Sequence, residues 1–141
     1  MFEKILAIIP ARGGSKTIKN KNIISFINQP LIYHSIKVAK ESKYINKIIV
    51  SSDSDKIMKI AKISGAEVPF KRPKRFATDK ANDFVVFKHC IDWLRDNQGY
   101  VPDLIIHLRP TYPLRSNDII DDNILKAFEN QNFDSMRSVC E

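Results

Sequence analysis

Short apolar runs alternate with amphipathic stretches along this chain, and that alternation limits the fold more than any other feature. Residues 4–9 (KILAII) are apolar after the opening lysine, with no polar alternation, which is the pattern of a strand buried on both faces. Residues 46–52 (NKIIVSS) and 102–110 (PDLIIHLRP) read as two further strands. A weaker strand is expected at 66–73 (AEVPFKRP), where Pro69 argues against a central position. A fifth is expected at 133–141 (FDSMRSVCE).

Four helices are expected between and after these runs. Residues 27–42 place Pro30 near a helix start and set Leu31, Ile32, Ser35, Ile36 and Ala39 close to helical spacing. Residues 55–65 are capped by Ser54 or Asp55 and closed by Gly65. Residues 82–99 put Phe84, Phe87, Cys90, Ile91 and Leu94 on one face and end at Gly99. Residues 116–132 are capped by Ser116 or Asn117. The order predicts an α/β, Rossmann-like fold: a mostly parallel sheet with helices on both faces and right-handed crossovers. At 141 residues the chain is read as one domain, 1–141. Ligands of such sheets sit at the carboxyl ends of the strands, so the candidate loops are 10–22, 51–55, 72–83 and 109–117.

Charge narrows the ligand. The net charge is +7, from 23 Lys and Arg against 16 Asp and Glu. Nucleic acid, a membrane surface and small anions all suit that balance. The basic residues concentrate in two segments, 12–21 and 71–80, with no run of five. Two convergent basic loops fit a compact polyanion better than a long duplex. The apolar stretch at 5–10 is too short for a membrane span or a signal sequence, so a cytoplasmic protein is expected. Cys90 and Cys140 have no metal or redox spacing, and buried, inert thiols are expected.

The segment 5–22 (ILAIIPARGGSKTIKNKN) holds two of the four glycines, Gly13 and Gly14, beside Arg12, Lys16, Lys19 and Lys21. Glycine permits positive φ and close approach to a ligand. Successive backbone N–H groups there can form an anion nest. The spacing is neither the G-x-x-x-x-G-K-[ST] of a P-loop nor the G-x-G-x-x-G of a dinucleotide fold. Composition alone leaves two readings open, phosphate binding and an ordinary basic turn. His34 and His89 on helices and His107 in a strand read as core or surface residues, and Asp53 and Asp55 as cap or turn residues.

Three segments in order resemble the acylneuraminate cytidylyltransferases (CMP-sialic acid synthetases): residues 9–23 (IPARGGSKTIKNKNI), 71–81 (KRPKRFATDKA) and 108–115 (LRPTYPLR). The resemblance implies a nucleotidyltransferase of that fold, with the C-terminal part of the family's usual length lying past residue 141. The implied reaction transfers CMP from CTP to a nonulosonic, sialic-type acid and releases pyrophosphate. Arg12 and Lys21 are implied to neutralise the triphosphate and to carry the catalysis. Ala11, Gly13, Gly14, Ser15 and Asn22 complete the nucleotide loop, Asn22 through its side-chain amide. Arg72, Ala81, Asp83 and Arg109 are implied as further nucleotide contacts.

Several positions depart from the family. Ala81 and Asp83 stand where small hydroxyl residues are usual. Tyr112 replaces a serine. Arg109 replaces a glutamine that both donates and accepts, whereas arginine only donates. Arg109 is therefore expected to hold an anion, or else to pair with Asp79 or Asp83. Asp79 is expected to cap the next helix or to fix its loop. The resemblance also implies Mg²⁺, with ligands past residue 141, and a homodimer for the full-length form. It implies CTP and an acidic sugar as partners, and neither nucleic acid nor membrane. A non-catalytic nucleotide-binding domain and a basic nucleic-acid-binding module are the alternatives.

Overall fold

The computed structural model describes residues 2–137 and 139. The central element is β1 (Ile5–Pro10), whose residues are buried along nearly its whole length. It pairs in parallel with β4 (Lys47–Ser51) on one side and β5 (Leu104–His107) on the other. The register sets Ile8 opposite Ile49 and opposite His107. The sheet order is β4-β1-β5.

Side chains alternate across β1, and each face has its own core. Ile5, Ala7 and Ile9 pack with α1 (Leu31–Glu41), α2 (Asp55–Ser64) and α4 (Asn117–Glu129). Leu6 and Ile8 pack with Cys90 and Leu94 of α3 (Asp83–Gln98). This double coverage is why the run at 4–9 is uniformly apolar. The chain leaves β1 toward β4 and later returns to the opposite side as β5. The crossover direction therefore reverses between β1 and β5, the place where open α/β sheets bind ligands.

The helix signals worked locally. Ser54 caps α2, its side chain accepting from the Ile57 N–H, and Gly65 closes it with φ 102°. Asn82 caps α3 by accepting from Val85, and Ser116 caps α4 by accepting from Ile119. Pro30 immediately precedes α1.

Four expectations need correction. The strand at 66–73 is reduced to a single parallel bridge, Glu67 to Ile49, because Pro69 cannot donate to a continued ladder. Within 133–141, residues 133–137 and 139 form no strand, and Phe133, Met136 and Val139 are exposed. No described strand lies beside them, and Ser138, Cys140 and Glu141 fall outside the described residues. On α3 the buried stripe is Val86, Cys90 and Leu94, at strict i, i+4 spacing. Phe84 lies two residues out of phase with that stripe and is exposed. A short hairpin, β2 (Ser25–Phe26) and β3 (Gln29–Pro30), was not expected. Its turn residues Ile27 and Asn28 both have positive φ, the backbone of a tight hairpin turn.

Candidate active site

A cleft of about 310 Å³ opens at the carboxyl ends of β1 and β5. Three loops converge on it. Pro10, Arg12, Ser15, Lys21 and Asn22 come from the loop after β1. Arg109, Pro110 and Thr111 come from the loop after β5, and Arg72, Thr78, Asp79, Ala81, Asp83 and Val86 supply the remaining wall. Of the expected site residues, Arg12, Ser15, Lys21, Asn22, Arg72, Ala81, Asp83 and Arg109 line this one cleft. Ala11, Gly13 and Gly14 do not. A second depression, of about 390 Å³, lies beside Arg75 and Trp93 on α3, and none of the expected site residues touches it.

The glycines act differently from expectation. Neither Gly13 nor Gly14 has a positive φ; Asn20 is the residue of that loop with one. Gly13 is needed for close packing, because a Cβ there would stand 2.8 Å from the Ser54 Cβ. Its N–H donates to Asp53 Oδ1 at 2.8 Å. That N–H is therefore committed and unavailable to an anion nest. Gly14 faces open space. Ala11 is buried and its N–H donates to the Ser51 carbonyl at 2.9 Å. These residues fasten the loop after β1 to the loop after β4, and so place Arg12.

Asn22 is buried, and its amide nitrogen donates to the Arg12 carbonyl at 3.0 Å. The amide expected to meet a ligand thus holds the loop with at least one of its hydrogens. Lys21 reaches the cleft and makes no ion pair among the described residues.

Arg72 is only 4% exposed. Its Nε donates to Ser51 Oγ at 3.0 Å, one terminal nitrogen to the Ser51 carbonyl, and the other to the Phe76 carbonyl at 3.3 Å. Among the described residues no carboxylate forms an ion pair with it. Burial is the main cause that lowers its pKa to about 10, with Asp53 opposing.

The two carboxylates of the cleft are both engaged. Asp79 receives Arg12 at 2.6 Å and Lys16 at 3.0 Å. Hydrogen bonds from Lys16 and Arg12 hold its carboxyl below the usual range. Asp79 thus fixes its loop, while Asn82 does the capping. Asp83 pairs with Arg109, the second of the two arrangements expected of Arg109. Four cations against two carboxylates line the cleft, which leaves it net positive.

Residues 6–140 match the family described as "Cytidylyltransferase". The chain belongs to the cytidylyltransferase family. A pseudaminic acid cytidylyltransferase of Campylobacter jejuni is 40% identical over 128 residues, 91% of this chain and 55% of that protein. An N-acylneuraminate cytidylyltransferase of Escherichia coli is 39% identical over 83% of this chain and 26% of its own length. Among solved structures, a CMP:2-keto-3-deoxy-manno-octonic acid synthetase complexed with CTP superimposes with a TM-score of 0.74. It is 16% identical, over 92% of this chain and 49% of that one, and supports the fold alone. This cytidylyltransferase chain spans about half the length of the first curated relatives it matches.

Sequence reasoning missed two contributors to the cytidylyltransferase cleft. Lys16 was read only as part of the basic run, yet it shares Asp79 with Arg12. Ser51 takes two of the Arg72 hydrogen bonds from inside a strand, and no local pattern marks that role. The histidines behave as expected. His34 bonds the Phe26 carbonyl, His89 packs edge-on against Phe70, and His107 packs edge-on against Phe87. None of the three lines the cleft.

Proposed function

We propose that this chain carries the CTP site of an enzyme that transfers CMP to a nonulosonic acid and releases pyrophosphate. One observation carries the reading: Arg12, Lys21, Arg72 and Arg109 converge on a single cleft at the point where the strand order reverses. A triphosphate is the compact polyanion that such a site suits. Relatives named for pseudaminic, N-acylneuraminic and legionaminic acid derivatives are 35–42% identical, with the ranges overlapping, so identity points to the sugar class and does not separate its members.

The chemistry divides between substrate and protein. The anomeric hydroxyl of the sugar attacks the α-phosphorus in line, and pyrophosphate leaves with the bonding electron pair. Arg12 and Lys21 stabilise charge growing on the leaving phosphates. Arg72, fixed by three hydrogen bonds before any ligand arrives, contributes a preorganised positive charge. No histidine in the cleft is placed to take the hydroxyl proton.

The described residues do not by themselves form a complete magnesium site. No group of three or more His, Cys, Asp or Glu among them is arranged to hold a metal ion. Asp79 and Asp83 are turned to cations instead. Binding of CTP without turnover is the second reading.

The test is incubation with CTP, Mg²⁺ and each of three acids (pseudaminic, N-acetylneuraminic and legionaminic), scored for CMP-sugar and pyrophosphate together. Equal amounts of both with one acid support the transferase. CTP binding with neither product supports the second reading. Absence of both binding and product contradicts the site.

A further inference from the structure

The cleft contains an anion of the protein's own, the Asp79 carboxylate. Asp79 stands in the segment 78–83, across from the loop after β1. Its two oxygens are divided between two of the four cations of that loop, Arg12 on Oδ1 at 2.6 Å and Lys16 on Oδ2 at 3.0 Å. A phosphate group presents oxygens to cations in a similar bidentate way and carries more charge. We propose that Asp79 is a specificity-determining residue, a built-in competitor for phosphate, so that ligand binding exchanges its carboxylate for a phosphate on Arg12 and Lys16. This inference rests on the proposed reading of the cleft as a polyphosphate site.

The geometry favours exchange over a permanent strut. The pair is part-exposed, with 33% of the Arg12 side chain and 42% of the Asp79 side chain accessible. Ion pairs of that exposure are weak and open readily. The carboxylate is displaced only by a ligand that supplies a stronger anion at the same place. Each ligand using Arg12 and Lys16 loses the same free energy to the exchange. A monophosphate recovers little of that loss. A di- or triphosphate extends to other cations of the cleft, among them Lys21, which has no ion pair among the described residues. Asp79 thus weakens every ligand that uses Arg12 and Lys16 by a common factor, and only ligands with further phosphate contacts still bind tightly. A nucleoside without phosphate never meets it.

Titrations of Asp79→Asn with CTP, inorganic tripolyphosphate, pyrophosphate and cytidine test the exchange. The variant keeps the size of the side chain and removes its charge. Tripolyphosphate, pyrophosphate and CTP are expected to bind roughly two- to tenfold more tightly than to the unaltered chain, with cytidine unchanged. Their salt dependence is expected to steepen, because the freed cations then carry counterions that the ligand must release. Asp79→Ser, checked by thermal melting, gives the same readout should the asparagine variant misfold. Phosphate affinity that is unchanged or weaker overturns the inference and makes Asp79 a positioning residue for Arg12. An equal gain for cytidine also overturns it. If no phosphate compound binds either form, the proposed function falls with it.

Discussion

Replacing Arg72 with methionine separates a binding cation from a structural one. Methionine keeps an unbranched apolar stem in the buried space and removes the charge. Two opposing quantities set the stability change. The fall of the Arg72 pKa from 12.5 to about 10 means that folding carries roughly 3 kcal/mol of burial cost for the charge, net of Asp53. The folded value is the lower one, so this cost is fully present at pH 7, and stability recovers only as pH rises above about 10. Against it stand the hydrogen bonds to Ser51, and charge-assisted bonds are worth about 1.5–3 kcal/mol each. The 3.3 Å contact with Phe76 adds less. The Ser51 carbonyl keeps a partner after the change, since the Ala11 N–H also donates to it. Losing about 3–6 and regaining about 3 leaves a net destabilisation of roughly 0–3 kcal/mol. Binding has no such compensation, and CTP affinity is expected to fall roughly ten- to hundredfold. Urea denaturation followed by circular dichroism gives the first number and calorimetry the second. A loss above about 4 kcal/mol with normal CTP affinity in the folded fraction refutes the reasoning and makes Arg72 a strut.

Other outcomes follow from the same geometry. Gly13→Ala is expected to destabilise by about 1–3 kcal/mol in denaturant titrations, because the new Cβ meets the Ser54 Cβ at 2.8 Å. Asp121 is buried and accepts from Ser42 Oγ and the Lys43 N–H, so Asp121→Ala is expected to cost about 1–3 kcal/mol by the same titration. Burial pushes the Cys90 thiol up to about 12. At pH 8 it is protonated, and peptide mass spectrometry is expected to find Cys90 unmodified by iodoacetamide in the folded chain and alkylated in denaturant.

What could be read from the sequence was whatever local chemistry decides. A strand buried on both faces has to be uniformly apolar, and residues 4–9 are. Ser54, Gly65, Gly99 and Ser116 marked helix ends because capping is a matter of a few adjacent residues. The cleft was largely legible because three motifs sit in loops at the same end of a parallel sheet. Decisions taken by distant partners were not legible. Nothing near Arg72 in the sequence announces that Ser51 will surround it. Gly13 looks like a residue chosen for backbone freedom, yet Ser54 and Asp53 across the turn set its requirement. The pairing of Asp79 with Lys16 and Arg12 joins positions more than sixty residues apart. Residues 133–137 and 139 show why apolar content alone does not make a strand: a ladder needs a neighbour, and none of the described strands lies there.

The central claim is that one cleft, walled by Arg12, Lys21, Arg72 and Arg109, binds cytidine triphosphate. Its most direct test is a calorimetric titration of the folded chain with CTP, UTP, ATP and GTP, repeated with Arg12→Ala. The account predicts that CTP binds more tightly than the other three. It also predicts that Arg12→Ala melts close to the unaltered protein while its CTP affinity falls at least roughly tenfold. Equal binding of all four nucleotides, or full CTP affinity in the Arg12→Ala variant, contradicts it.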